Sequence, residues 1–268
     1  MSELLKDPQS PLSLASQSED WFAVANVRAK IRETPNALAR ALNTSAPRKQ
    51  FDLARDVRVV QTKDLPNKPG ISTVEGQARL LHDLASIELQ ALELGLRTLE
   101  EYPEAPKEFR EQLAEVTAGE ARHLTLCLDG IEALGYSWGH WNVHLALWNV
   151  VSPEDSLLDR ILIVHRYLEG AGLDAGESML ARMKGVYMPA SRPIVELINR
   201  EEVDHVAFGS RWYRNICEQQ KIDPSQDFEK RIGWVARVAP RREKLAHESR
   251  IRAGFTLEEL EILERLRS

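Results

Sequence analysis

Two five-residue stretches, GEARH ending at His123 and EEVDH ending at His205, each place a Glu three residues before a His. Both lie inside long segments whose apolar residues recur with a helical period. Residues three apart share one helix face, so each motif offers a carboxylate and an imidazole to one point in space. A single pair carries little weight, because Glu and His meet at this spacing on solvated surfaces. Two pairs on alternate helices restrict the fold far more.

Four long helical segments are expected, at about 73–101, 106–134, 153–184 and 192–219. In the third, Ser152 reads as the N-cap, Pro153 as the first residue and Gly185 as the terminator. The links within the first and second pairs of helices are a few residues long, whereas GYSWGHWNVHLALWNVVS separates the pairs. Two helical hairpins joined by a long crossover is a four-helix-bundle topology. Strand signals are scarce, and VRVVQT at 57–62 has no partner of similar strength. The fold class is therefore all-α, with three parts. Residues 1–72 form an N-terminal helical and wrapping extension, 73–220 the bundle, and 221–268 a C-terminal helical appendage packed on it. Within the extension, residues 1–17 read as loose, SEDWFAVANVRAKIRET as one helix and PNALARALN as a shorter one opening at Pro35. The segment 44–72, with its prolines and charges, is expected to wrap the core. In the appendage, Pro240 breaks the helix and Thr256 is an N-cap candidate.

The other two bundle helices supply one carboxylate each: Glu88 in SIELQALELG and Glu169 in YLEGAGLDAG. Aligned on these glutamates, Leu92 matches Leu173, Glu93 matches Asp174 and Gly95 matches Gly176. Glu88 to Glu120 is 32 residues and Glu169 to Glu202 is 33, so the chain carries a weak internal duplication. Rising and returning along antiparallel helices at about 1.5 Å per residue brings each pair of glutamates to a similar height. Four carboxylates in a bundle core repel, and an unpaired buried charge is costly. Protonation or bound cations would relieve them. The candidate ligands are Glu88, Glu120, His123, Glu169, Glu202 and His205, arranged for two ions. Carboxylate plus imidazole suits Fe or Mn, with Zn as an alternative. The competing reading is a buried polar network without metal. Glu201 competes with Glu202, but its spacing to His205 breaks the duplication.

This ligand set resembles that of the ferritin-like di-iron carboxylate proteins. More closely, the chain is similar to an uncharacterised bacterial family of that superfamily, a domain of unknown function. The likeness runs through LLHDLASIELQALELG, GEARH, the Trp-rich crossover, EGAGLDAG, EEVDH and HESRIRAGF, most of residues 65–260. In that family the first-helix motif often carries a second His two residues before the Glu; here Ser86 stands there. The resemblance implies a ferritin-like bundle holding a binuclear Fe/Fe or Mn/Fe centre. It supplies no established reaction; the first functional expectation is an O2-dependent oxidoreductase acting on a small molecule. A non-catalytic or ferroxidase-type metal binder is the first alternative. A tRNA-modifying hydroxylase is the second, since one shares the superfamily.

His165, four residues before Glu169, is the candidate catalytic residue outside the ligand set: an extra ligand, proton shuttle or substrate contact, or else a hydrogen-bonded core histidine. His82 falls off the ligand stripe and reads as structural, Cys127 as a small buried hydrophobe, and Glu93 and Asp174 as outer-face charges. Asp204 is a candidate partner for a ligand histidine or for Arg122. The glycines of EGAGLDAG either let helices approach or leave room for O2 or substrate. The crossover tryptophans, with His140 and His144, either lid the bundle or simply pack.

The formal charge of −6 opposes a general nucleic-acid or membrane-surface binder, although KRIGWVARVAPRREKLAHESRIR is a local basic stretch that keeps RNA as an alternative partner. The two cysteines, Cys127 and Cys217, form neither a disulfide framework nor a rubredoxin-type site, so electrons would come from a separate donor protein. With no secretory signal and no long apolar run, a cytoplasmic location is expected, with no membrane partner and a homodimer as the candidate assembly.

Overall fold

The computed structural model describes residues 20–239, 241 and 243–267, all-helical with no strand among them. The expectations for residues 1–17 and for Pro240 fall outside the described residues. The start of the chain's helical part differs from expectation. Trp21–Ala23 is a short 3-10 turn, and one helix, α1 (Val27–Leu42), then runs through Pro35. Asn26 sets its start by accepting from the Ala29 N–H, and a buried face containing Val27, Ala37, Leu38 and Ala41 holds it against the bundle. That burial outweighs the backbone bond lost at Pro35.

Helix α2 (Val74–Glu101) starts on a Thr73 cap, and α3 (Lys107–Ala133) ends before Gly135, whose φ of 81° suits only a residue without Cβ. These two pack along their whole length. The third bundle helix begins later than expected. Ser156 and Asp159 form a capping box that starts α4 (Leu157–Ile161), while Ser152 and Asp155 close the turn before it. After α4 the backbone winds into a π-helical segment, Leu162–Leu168, and returns to α-helix as α5 (Glu169–Arg182). Helix α6 (Arg192–Gln220) packs back on α5 and the π segment and also touches α3, joining the two hairpins. The appendage adds α7 (Pro224–Val238), α8 (His247–Arg252) and α9 (Leu257–Arg267). Thr256 and Glu259 cap α9 reciprocally, as expected for Thr256.

Glu93 and Asp174 are not outer-face charges. Glu93 is fully buried, receiving Lys30 Nζ at 2.8 Å and both Arg55 amino groups at 2.5 Å. Asp174, its counterpart in the duplication, is buried under Arg250 (Nε and Nη2 at 2.8 Å), Arg267 (2.8 Å) and the Ala246 N–H. Helical angle alone placed them away from the ligand stripe, which is right. The extensions cover that outer face, so each acid anchors one extension to the bundle: Glu93 the N-terminal and Asp174 the C-terminal.

The duplication recurs in the glycines. A Cβ on Gly95 would lie 2.2 Å from Thr117 Oγ1, and one on Gly176 would lie 2.0 Å from Asn199 Oδ1. Thr117 and Asn199 each stand three residues before a motif glutamate, so each glycine seats the partner helix at one equivalent place. The wrapping segment meets the crossover at Trp138–Asp56, at Phe51–Trp148 and, among the described residues, through one parallel bridge, Val59 with Val143. The VRVVQT stretch thus finds one partner without forming a sheet.

Candidate metal centre

Helices α3 and α6 bring Glu120, His123, Glu202 and His205 together, with one ligand atom from each all within 4.8 Å of one another. An ion at the centre of donors so spread meets them at about 2.4–2.9 Å, so small side-chain shifts would bring them to the ~2.0–2.2 Å of imidazole and carboxylate bonds. Both histidines turn Nδ1 inward. His123 Nδ1 is 3.3 Å from Glu202, 3.5 Å from Glu88 and 3.7 Å from Glu120, and His205 Nδ1 is 2.7 Å from Glu120 and 3.4 Å from Glu202. Neighbouring donors around one ion at about 2.1 Å are separated by about 3 Å, so these spacings match the edges of a coordination polyhedron. His205 Nδ1 is within hydrogen-bonding distance of Glu120, but the alignment is poor. Both Glu120 oxygens and both inward Nδ1 atoms are buried without a hydrogen-bond partner. Buried polar atoms are nearly always satisfied, so a converging group of orphans has the character of a cation site. The space is prepared by Gly119, where a Cβ would press on His205 Nε2 at 2.8 Å.

Glu88 joins this group from α2. Glu169 stands apart from the four. Its Oε1 pairs with His165 Nδ1 at 2.8 Å, its Oε2 is buried and unpartnered, and it lines the same cavity as Glu88, Glu120 and Glu202. His165 sits in the π segment, its ring edge-on to Phe208 and its Nε2 unpartnered. It does not line the cavity and reaches the site through Glu169. Wider π turns inside α-helices occur frequently at functional sites. Nothing in LIVHRYL announces one.

The charges are strongly coupled. Burial pushes the Glu88 carboxyl well above its ordinary value. Burial also raises Glu169, against the pull of His165. Glu120 is buried too, yet the imidazoles of His205 and His123 hold it below the usual range. Burial of His205 is outweighed by Glu120 and Glu202, which carry it up to about 11, and His123 is raised in the same way. Protons on imidazoles and on Glu88 thus balance the carboxylates, and these are the protons a bound cation would displace.

Glu201, the competitor for Glu202, has a different place. Its Oε2 lies 3.0 Å from His123 Nε2 and accepts from Arg122 Nη2 at 2.7 Å. It therefore holds the outer nitrogen of His123 and faces water. The Arg122 partner is Glu201, not Asp204, because the neighbouring residue on α6 is the one that turns toward α3. The i, i+1 pair Glu201–Glu202 could have suggested this: one acid on the site, one behind it. His82 is structural as expected, accepting from the Gly139 N–H at 3.1 Å and stacking on Trp138 at 4.7 Å. Cys127 is fully buried.

Above the glutamates lies a cavity of about 260 Å³ with aliphatic walls. Gly172 contributes to it, with no atom within 4 Å of a Cβ placed there, whereas Gly170 and Gly176 are close-approach positions against Arg250 and Asn199. EGAGLDAG thus holds two close-approach glycines, Gly170 and Gly176, and one, Gly172, with open space beside it. Of the crossover, Leu147 lines the cavity, and Gln90 Oε1 fixes it by accepting from the Leu147 and Trp148 N–H groups. Trp138 and Trp141 pack on His82, and Trp148 packs beside Phe22 and Phe51. In the basic stretch, Arg231 is spent on Asp159 and Asp227, and Arg250 on Asp174.

A family model described as a protein of unknown function (DUF455) matches residues 11–261. The chain belongs to this family. An uncharacterised protein of Haemophilus influenzae is 30% identical over 211 residues, which cover 76% of this chain and 73% of that protein. No solved structure matches the chain. Among the described residues, no helix is long and apolar enough to cross a membrane.

Proposed function

We propose that the protein is a ferritin-like bundle whose six residues Glu88, Glu120, His123, Glu169, Glu202 and His205 hold two metal ions, Fe/Fe or Mn/Fe, and that it is an O2-dependent oxidoreductase of a small molecule. The observation that carries this reading is the convergence of unpartnered buried donors from Glu120, His123 and His205, beside Glu88 and Glu202 and beneath an aliphatic cavity. When bound, such ions supply redox chemistry that the side chains lack. The chain's own residues do the rest. His123 and His205 fix the ion positions, and Glu201 fixes the His123 ring from behind. His165 holds Glu169, setting which of its oxygens faces the cavity. Aliphatic side chains such as Leu94, Val164 and Leu168 line the cavity beside Glu88 and Glu169. Electrons come from a separate donor protein, because the two cysteines are free, buried and far apart in sequence, with no paired-thiol site between them.

Oxygen consumption by the Fe(II)-loaded protein tests the reading. Uptake faster than for free Fe(II), abolished in His123→Ala, is expected. Metal-loaded protein that leaves O2 untouched would reduce the function to metal binding.

A further inference from the structure

We propose that the cavity binds an unbranched aliphatic chain ending in a carboxylate, its head at Lys68 and its tail lying past the glutamates. The inference rests on the reading of this cavity as the substrate pocket. Its walls, including Leu84, Ile87, Leu147, Leu168, Met179 and Ile198, are mostly aliphatic, and among the described residues no aromatic side chain lines it. A planar ring would find no stacking partner there, whereas a flexible hydrocarbon gains from burial alone. Size sets the length. A dry cavity of about 150 Å³ takes a benzene ring, so 260 Å³ corresponds to roughly ten heavy atoms.

The head is identified by charge. Apart from the glutamates, the ionisable groups lining the cavity among the described residues are Lys68 and Asp83. Asp83 is already shared, receiving Arg79 Nε and Lys68 Nζ at 2.8 Å each. These three groups sum to one positive charge. Lys68 is 67% exposed in its side chain, so its ammonium has donors left for an anion arriving from water. A cationic head would meet repulsion at the same place.

Register along α2 then fixes which part of the chain reacts. Asp83 and Glu88 are five residues apart, about 7–8 Å along the helix. At about 1.3 Å of advance per staggered C–C bond, a chain held at Lys68 brings roughly its sixth carbon beside the carboxylates. Leu80 and Leu94 mark the cavity's extent along α2, so wall remains beyond that point for a tail.

The test is calorimetric titration of metal-supplied protein with decanoate, 1-decanol and decylamine, on the parent, Gly172→Leu and Lys68→Glu. Gly172→Leu adds a side chain at an exposed, cavity-lining glycine whose Cβ would meet no atom within 4 Å, and Lys68→Glu changes an exposed side chain, so the second variant keeps the test valid should the first fold poorly. One decanoate per chain is expected, with decylamine about five- to tenfold weaker, as reversing one exposed charge contact allows. Lys68→Glu should invert that preference, and Gly172→Leu should remove binding of all three. Equal decanoate binding by Gly172→Leu, equal or tighter decylamine binding by the parent, or no decanoate binding would overturn the proposal. Metal content measured on the same samples separates the two readings. Metal without decanoate binding sinks this inference alone, and decanoate binding without metal sinks the proposed function alone.

Discussion

Replacing Glu93 by Gln should destabilise the protein severely although the residue touches no candidate ligand. Glu93 is fully buried and answers two cations, Lys30 and Arg55, whose side chains are 0% and 5% exposed. Burial already drives the Lys30 ammonium below its ordinary pKa, with the Glu93 charge the main force opposing it. An amide in place of this carboxylate is nearly isosteric, so packing changes little and the electrostatic cost stands alone. Removing one partner of a buried ion pair costs about 3–5 kcal/mol. At about 2–4 °C per kcal/mol for a chain of this size, the melting temperature should fall by roughly 10 °C. Asp174→Asn, the equivalent change at the other clamp, should cost a similar amount. Thermal unfolding followed by circular dichroism is the assay. Glu111→Gln is the control, since the Lys107–Glu111 pair is exposed and worth less than about 1 kcal/mol. Limited proteolysis of Glu93→Gln should cut first in residues 44–72, the segment that Arg55 anchors. A shift below about 2 °C for Glu93→Gln would refute the reasoning, because the extension would then be held by apolar contacts alone.

Three further predictions rest on separate features. Gly172→Ala should stabilise by about 1 kcal/mol through helix propensity, since its Cβ meets nothing, while Gly95→Ala should destabilise by about 1–3 kcal/mol against Thr117; urea titrations of the pair should move in opposite directions. His82 is lowered by burial to about 4 from an ordinary 6.5, so the unfolded chain takes the proton first as pH falls through 6.5. His82 thus contributes no loss above that pH and a loss reaching about 3 kcal/mol near pH 4, and His82→Phe should be less acid-sensitive by that amount in melts from pH 7 to 4. Glu201→Ala should leave the fold intact and weaken metal affinity about 10–100-fold, measured by competition with a chelator; unchanged affinity would remove Glu201 from the centre.

The parts legible in the sequence are those governed by local rules. Helical period and terminators such as Gly135 gave four bundle helices close to their observed limits, and Thr256 gave the cap of α9. The Glu-x-x-His repeat located Glu120, His123, Glu202 and His205, which the fold gathers into one cluster. What failed was tertiary. Glu93 and Asp174 look like surface acids until the extensions fold over them. The Ser152–Pro153 start is locally plausible, but the Ser156–Asp159 box satisfies both ends of the cap at once and prevails. The π segment before Glu169 had no signature in LIVHRYL; in the fold it packs against α6 and α7. Glu201 was judged only as a rival ligand, and its role behind His123 needs the α3–α6 approach to be seen.

The central claim is that the buried Glu and His donors hold metal. Elemental analysis of metal per chain tests it most directly, on protein produced with Fe and Mn supplied, beside the double variant Glu202→Ala/His205→Ala. The account predicts about two ions per chain in the parent and a clear loss in the folded variant. A folded parent that stays metal-free would contradict it, and would leave the cluster as a proton-sharing polar core.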